Sequence, residues 1–376
     1  MNVKPLVAVL LSLLAAVSTM AVALPAAAEG PAIEPSVPAS VPAPVSAPVS
    51  APVSAPGKVR VYVLAGQSNM EGKAQLPLLE HLAAQPSTAG RFAHLRDGDG
   101  WRVRDDVWID FLGRRGPLTV GFGSPNRVGP ELDFGYVVGD HHDDPVLIVK
   151  TAWGGRSLYR DFRPPSAGLP GDEALASLLT AEQKRDPERT LEQVRASFGR
   201  DYRGMLAEVD RALREAREAF PAMGDGEYVL SGFVWFQGWN DMVNRDATAE
   251  YARNLECLIR DVRRDLGVPD LPFVVGQLGV GGLNRPDEGR ERFKAAQAAP
   301  TALPEFRGNT ALVRTDRFWD ETAQAVFDKG WRENVEEWQK VGSDYPFHYL
   351  GSAHTYCDIG RAFGQAVIAL EAGRSR

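Results

Sequence analysis

Cysteine is nearly absent from this chain: two, Cys257 and Cys357, stand in 376 residues. A scaffold held together mainly by disulfides is therefore excluded. A single Cys257–Cys357 bridge in an exported protein and two buried thiols both stay open. The six histidines are scattered and, with only two cysteines, offer no zinc-type ligand spacing, so no metal site is expected. His141-His142 is an adjacent pair before Asp143-Asp144-Pro145 and reads as a surface turn. No run of five or more Lys and Arg occurs, and the formal net charge is −7. Phosphate binding needs clustered cations, so nucleic acid is excluded as a partner, and so is a membrane surface gripped by charge alone.

Charge itself is missing from one end. Residues 1–57 carry only Lys4, Glu29 and Glu34, yet hold ten of the 27 prolines. Such a segment cannot join a packed core. Lys4, the apolar stretch from Leu6 to Leu24 and then Ala26-Ala27-Ala28 make residues 1–28 a secretory signal with a small-residue cleavage site. The stretch is long enough that an uncleaved N-terminal membrane anchor is the alternative. Residues 29–57 repeat Ala-Pro-Val-Ser, the composition of an extended spacer without a core. Residues 58–376 hold 41 Lys and Arg against 47 Asp and Glu, an ordinary globular balance, and are expected to form one domain. Its expected location is secreted, periplasmic or cell-surface.

Within that domain the apolar period switches repeatedly. Val59–Ala65, Pro145–Ala152, Tyr228–Gln237, Pro272–Leu278 and Thr310–Thr315 are short apolar runs that read as buried strands. Tyr202, Met205, Leu206, Val209, Leu213, Ala216 and Phe220 recur at helical spacing, as do Ala252, Leu255, Ile259, Val262 and Leu266. A last helix is expected over about 352–371. Strands alternating with helices imply an α/β fold, a three-layer α/β/α sandwich with a mainly parallel sheet. The stretches 73–129 and 161–200 do not fit the repeat and read as loops and insertions that shape a site.

In such sheets the functional groups gather just past the carboxyl ends of strands. There the chain places Gly66-Gln67-Ser68-Asn69-Met70, then Ala152-Trp153-Gly154-Gly155-Arg156-Ser157, then Gln237-Gly238-Trp239-Asn240-Asp241. Near the end stands Asp344-Tyr345-Pro346-Phe347-His348. These supply a hydroxyl, a glycine turn, an amide donor and an imidazole beside a carboxylate. Acyl transfer needs those parts. A serine hydroxyl is a weak nucleophile until a base takes its proton, and a carboxylate orients that base. The oxyanion that forms needs donors already in place, which Ser68 N–H, Gly155 N–H and the Asn240 side chain could supply.

AGQSNMEG (65–72), GWND (238–241) and the C-terminal Asp/His block together resemble the SGNH hydrolase superfamily. The likeness is to its sialate O-acetylesterase and acetylxylan esterase branch, carbohydrate esterase family six. It spans nearly the whole domain, from Val59 to the last helix. The resemblance implies a flavodoxin-like α/β/α sandwich, an acetyl-enzyme mechanism on an acetylated carbohydrate, and no cofactor. By the same resemblance Ser68 is the nucleophile, His348 the base, and Gly155 and Asn240 the oxyanion donors. Gln237 and Arg156 are candidate contacts to the sugar or acyl group.

Two departures matter. The superfamily usually places its acid three residues before the histidine, whereas Asp344 lies four before His348. Many relatives have Gln-Gly-Glu where this chain has Gln237-Gly238-Trp239. Asp344 is the chosen acid, with Asp316, Asp320 and Asp358 as alternatives, and His354 is a rival base. Glu131 could orient the site or only open a helix after Pro130. Trp153 and Trp239 could pack the core or stack on sugar, and Trp235 reads as core. Two other functions stay open: a carbohydrate-binding protein on the same fold, and an esterase or thioesterase directed at lipids.

Overall fold

The computed structural model describes residues 57–374. The expected signal at 1–28 and, apart from Gly57, the spacer at 29–57 lie outside the described residues. Each expected strand forms within about a residue of its expected bounds. Strand β1 is Lys58–Gly66 and is followed at once by the single-turn helix α1, Ser68–Glu71. Strands β2 (Val107–Phe111) and β3 (Arg114–Pro117) come next, then helix α2 (Glu131–His141) and β4 (Val146–Ala152). Helix α3 (Arg200–Ala219), β5 (Glu227–Phe236), α4 (Arg245–Asp265) and β6 (Phe273–Gln277) follow. Helix α5 (Glu288–Ala298), β7 (Thr310–Arg314) and α6 (Ala353–Arg374) complete the domain.

The seven strands form one sheet in the order β7-β6-β5-β1-β4-β2-β3. All neighbours are parallel except β2 and β3, which make an antiparallel hairpin at one edge. Successive side chains of a strand point to opposite faces, and β5 shows what covers each. Trp235 donates through its indole N–H to Tyr251 of α4, at 3.3 Å. Its neighbour Phe236 packs edge-on against Phe363 of α6. Helices α4 and α6 therefore lie on opposite faces, which makes the architecture a three-layer α/β/α sandwich. Helix α6 also packs closely on α2: a Cβ at Gly360 would stand 2.2 Å from the carbonyl oxygen of Pro130.

This layering settles the cysteines. Cys257 is on α4 and Cys357 on α6, both are buried, and both are free thiols. The sheet lies between them, so the bridge does not form.

Three sequence expectations are corrected. The stretch 73–129 is not all loop, because it carries the β2–β3 hairpin. All five residues of β2 are buried, so the strand has no polar alternation to betray it. Its turn residues Leu112 and Gly113 both have positive φ, the tight-hairpin geometry, and Gly113 N–H donates to Asp110 at 2.9 Å. The stretch 161–200 holds two helices, Asp172–Gln183 and Leu191–Ser197, over a small second core of Tyr159, Leu175, Val194 and Phe198. His142 does not lie in a free turn: its Nε2 is 3.0 Å from both the Tyr62 hydroxyl and the Glu371 carboxylate.

The sheet order also says where to look for a site. Strand β1 is central, with β4 on one side and β5 on the other, so the chain reverses its direction of travel across the sheet at β1. A crevice forms at such a switch point, outside the carboxyl ends. Ser68, Gly155 and Asn240 stand two to four residues past the ends of β1, β4 and β5.

Candidate active site

Strand β1 ends at Gly66, where a Cβ would meet the Phe236 carbonyl oxygen at 2.1 Å, so only glycine lets β1 and β5 close together there. Gln67 N–H donates to that same carbonyl at 3.3 Å. The chain then turns into α1, and Ser68 becomes its first residue, 5% exposed. Its hydroxyl lies 3.0 Å from His348 Nε2, and His348 Nδ1 lies 2.9 Å from Asp344 Oδ1. A hydroxyl, an imidazole and a carboxylate thus form one relay from residues 276 and 280 positions apart in sequence from Ser68.

The loop that carries the last two is bent hard. Tyr349 and Leu350 both adopt left-handed backbone, φ 51° and 60°. Non-glycine residues in that region cost on the order of 1–3 kcal/mol each and persist only where the surroundings hold them. Here they are held. The Tyr349 hydroxyl accepts Gly279 N–H at 2.7 Å and lies 2.6 Å from Thr315 Oγ1. Ser343 and Asp344 both donate backbone N–H to the Leu350 carbonyl, at 2.8 and 3.1 Å. Asn69 Nδ2 donates to the Phe347 carbonyl at 3.1 Å, and the Tyr356 hydroxyl donates to Asn69 at 2.9 Å. Ahead of that bend His348 N–H donates to the Tyr345 carbonyl at 2.9 Å, and this turn brings Asp344 back onto its own histidine, so a four-residue spacing serves as well as three. Burial alone would raise the Asp344 carboxyl. The hydrogen bond and charge of His348, with Tyr345 N–H and the Arg127 charge, hold it below the usual carboxylate range.

Past the ends of β4 and β5 stand the two expected donors, Gly155 and Asn240. Gly155 is exposed with φ 71°, a left-handed conformation suited to glycine. Its carbonyl accepts Asn240 Nδ2 at 3.0 Å, and Asn240 Oδ1 accepts Gln67 Nε2 at 3.0 Å. The Asn240 carboxamide is therefore pinned at both ends. Gly154 N–H donates to Glu71 at 2.7 Å, and Glu71 is itself paired with Lys73 at 2.6 Å.

A family model described as carbohydrate esterase, sialic acid-specific acetylesterase, matches residues 58–318. The chain belongs to that family. The match includes Ser68, Gly155 and Asn240 and stops short of Asp344 and His348, whose placement rests on the geometry above. Among solved structures, a protein from Arabidopsis thaliana is 16% identical, with 83% of this chain and 98% of that one covered and a TM-score of 0.47. XAC1771, a carbohydrate acetylesterase from Xanthomonas citri, is 18% identical over 67% of this chain and 49% of that one, TM-score 0.39. NanS is 18% identical over 69% and 78%, TM-score 0.36. No curated protein matches the chain. The protein is a carboxylic ester hydrolase whose substrate is an acetylated carbohydrate.

The carbohydrate esterase uses its other candidates differently from the sequence expectation. Gln237 does not reach the crevice. It is buried, its amide donates to the Arg156 carbonyl at 3.0 Å and to Asp241 at 2.5 Å, and its Oε1 accepts Tyr251. It is a strut beneath the site. Arg156 is half-buried and ion-paired with Asp201 at 3.0 Å, so its charge is already matched. His354 stacks on Phe92, away from the relay, and Asp358 pairs with Arg91. Asp320 caps the helix Glu321–Asp328, and Asp316 is a buried partner of Lys294 and Arg314. Trp235 is fully buried, Trp153 packs on Phe162, and Trp239 lies against Phe347 beside the histidine loop.

Several supporting groups were not singled out from sequence. Asp241 is fully buried and accepts the N–H groups of Leu158 and Tyr159 at 2.9 and 2.8 Å. Burial pushes its carboxyl up to about 6 against those hydrogen bonds. Lys150 sits inside β4 and donates to the Glu71 carbonyl at 2.8 Å and to Glu131 at 2.7 Å, all of it buried. Glu131, which the sequence offered either as an orienting group or as a helix opener after Pro130, does open α2 and also accepts Gly129 N–H at 2.9 Å. It acts through Lys150 on the backbone of α1. A lone lysine in an otherwise apolar strand was the signal available for this network.

Proposed function

We propose that this esterase removes O-acetyl groups from a carbohydrate through an acetyl-enzyme on Ser68. The observation that carries this reading is the Ser68–His348–Asp344 relay, with hydrogen bonds of 3.0 and 2.9 Å. The Ser68 hydroxyl attacks the acetyl carbonyl carbon while His348 Nε2 takes its proton. Asp344 holds the imidazole with Nδ1 protonated and stabilises the imidazolium that forms. The carbonyl oxygen becomes an oxyanion, and Ser68 N–H, Gly155 N–H and Asn240 Nδ2 are its donors. Asn240 Nδ2 carries two protons, one given to the Gly155 carbonyl and the other free for the oxyanion. Collapse expels the sugar oxygen, which takes the proton from His348. Water, deprotonated by the same imidazole, then attacks the acetyl-enzyme and releases acetate. Residues 1–28 export the enzyme, residues 29–57 tether it, and it works outside the cytoplasm on an extracellular glycan.

The test uses p-nitrophenyl acetate and an acetylated glycan side by side. Ser68→Ala should lower kcat by at least about 10⁴-fold on both, since little beyond donors and binding then remains. A variant that turns over either substrate as fast as the unaltered enzyme overturns the mechanism.

A further inference from the structure

Arg127 lies on the Asp344 side of the relay, and beyond the charge it presents to Asp344 no role above uses it. It is half-buried, its Nε is fully enclosed without a hydrogen-bond partner, and it makes no ion pair among the described residues. Arg127, Trp331, Trp338, Ser343, Asp344 and Tyr345 line a recess of about 210 Å³. Its walls are aromatic. The Trp331 and Trp338 rings are 6.0 Å apart, and Tyr345 stands edge-on to Trp331 at 6.1 Å. Tyr345 is 43% exposed, one of the few large apolar side chains left in water. The carboxylate that lines the recess, Asp344, already accepts His348 Nδ1 and Tyr345 N–H. The recess shares Trp331, Trp338 and Ser343 with a groove of about 720 Å³ that runs past Gln75 and His81.

Aromatic walls suit the C–H faces of a pyranose. A guanidinium without a partner suits a carboxylate, which it can grip with two parallel hydrogen bonds. The recess is too far from Ser68 to hold the acetylated carbon itself. An attacked carbonyl must sit about 3–3.5 Å from the nucleophile. Two hydrogen bonds and an imidazole ring separate Ser68 Oγ from Asp344. A sugar seated in the recess would thus be a neighbour of the acetylated one in the same chain. We propose that this recess binds a carboxylate-bearing sugar unit adjacent to the acetylated one, with Arg127 as the anion contact, so that the preferred substrate is an acetylated acidic polysaccharide. The inference rests on the esterase reading.

The experiment compares an acetylated uronate-containing oligosaccharide with the same oligosaccharide after its carboxyls are reduced to alcohols, and p-nitrophenyl acetate is run alongside. The unaltered enzyme should favour the acidic form by about tenfold in kcat/KM, mainly through KM, the effect of one charged hydrogen bond. Arg127→Gln should bring the ratio close to one, and Arg127→Lys should restore part of it. A ratio near one in the unaltered enzyme overturns the proposal and needs no variant to fold. So does an Arg127→Gln enzyme that loses equally on both oligosaccharides, because the arginine would then act through Asp344. If the unaltered enzyme cleaves none of the three substrates, the fault lies with the esterase reading, and this inference falls with it.

Discussion

Gln67 is buried, yet it should control the oxyanion donor. It is 2% exposed and donates to Asn240 Oδ1 at 3.0 Å, while its Oε1 accepts Gly238 N–H at 3.1 Å. Gln67→Leu removes both bonds, together with the longer 3.5 Å contact from Gln67 Nε2 to the Ser68 hydroxyl. The lost bond to Asn240 frees one end of its carboxamide, at a cost to orientation of about 0.5–1.5 kcal/mol. At 1.36 kcal/mol per decade, kcat should fall by about 2- to 13-fold. The orphaned Gly238 N–H adds about 1–3 kcal/mol of lost stability, read separately by urea unfolding. Asn240→Ala removes a whole oxyanion donor and should cost about 10²–10³ in kcat. The deciding measurement is the double variant on p-nitrophenyl acetate. The Gln67–Asn240 bond, at 3.0 Å, is shorter than the 3.5 Å contact to Ser68, so Gln67 should act mainly through Asn240, and in the Asn240→Ala background Gln67→Leu should change kcat by less than about twofold. Losses that simply multiply would refute the reasoning and give Gln67 a role of its own.

Three further outcomes are expected. Lys150→Met leaves Glu131 buried without its cation and should destabilise the fold by about 3–5 kcal/mol, measured by chemical denaturation; a loss under about 1 kcal/mol would mean the pair is not desolvated in solution. Asp344, with its carboxyl held low, contributes stability that is present above the unfolded value of about 3.9 and disappears as pH falls through the lower folded value. It does not titrate between pH 8 and about 4. The NMR shift of the Asp344 carboxyl carbon should therefore stay flat over that range, and an inflection there would contradict this. Cys257 and Cys357 are buried on opposite sides of the sheet, and burial pushes the Cys357 thiol well up. A thiol reagent should count two cysteines only after unfolding, and a reductant should leave the unfolding midpoint where it was.

Most of the framework was legible in the sequence because it is local. Apolar runs such as Val146–Ala152 state their own strand, and the spacing of Tyr202 to Phe220 states its own helix. The β2–β3 hairpin was not legible. Its strand is buried on both faces, so it lacks alternation, and one of its two turn residues is Leu112, which gives no turn signal. The helices of 161–200 cover a small separate core with few apolar residues, which leaves little periodicity to read.

The candidate site divides the same way. Ser68, Gly155 and Asn240 were marked by short blocks at strand ends, since a residue's place just past a strand follows from the chain alone, and His348 was marked by the resemblance of its C-terminal Asp/His block. Whether Asp344 could reach His348 across an extra residue did not follow, because that depends on the turn between Tyr345 and His348 and on a loop held by Gly279, Thr315 and Asn69, from three other parts of the chain. Gln237 shows the reverse case. Its position past β5 suggested the crevice, but Tyr251 and Asp241 capture its amide from below. The sequence alone determined the order of strands and helices and the identity of the reactive groups, since periodicity and side-chain chemistry are properties of neighbours along the chain. Only the tertiary structure decided which groups meet, which cysteines stay apart and which arginine is left without a partner. Those depend on contacts between residues hundreds of positions apart, and such contacts exist only once the sheet has stacked its layers.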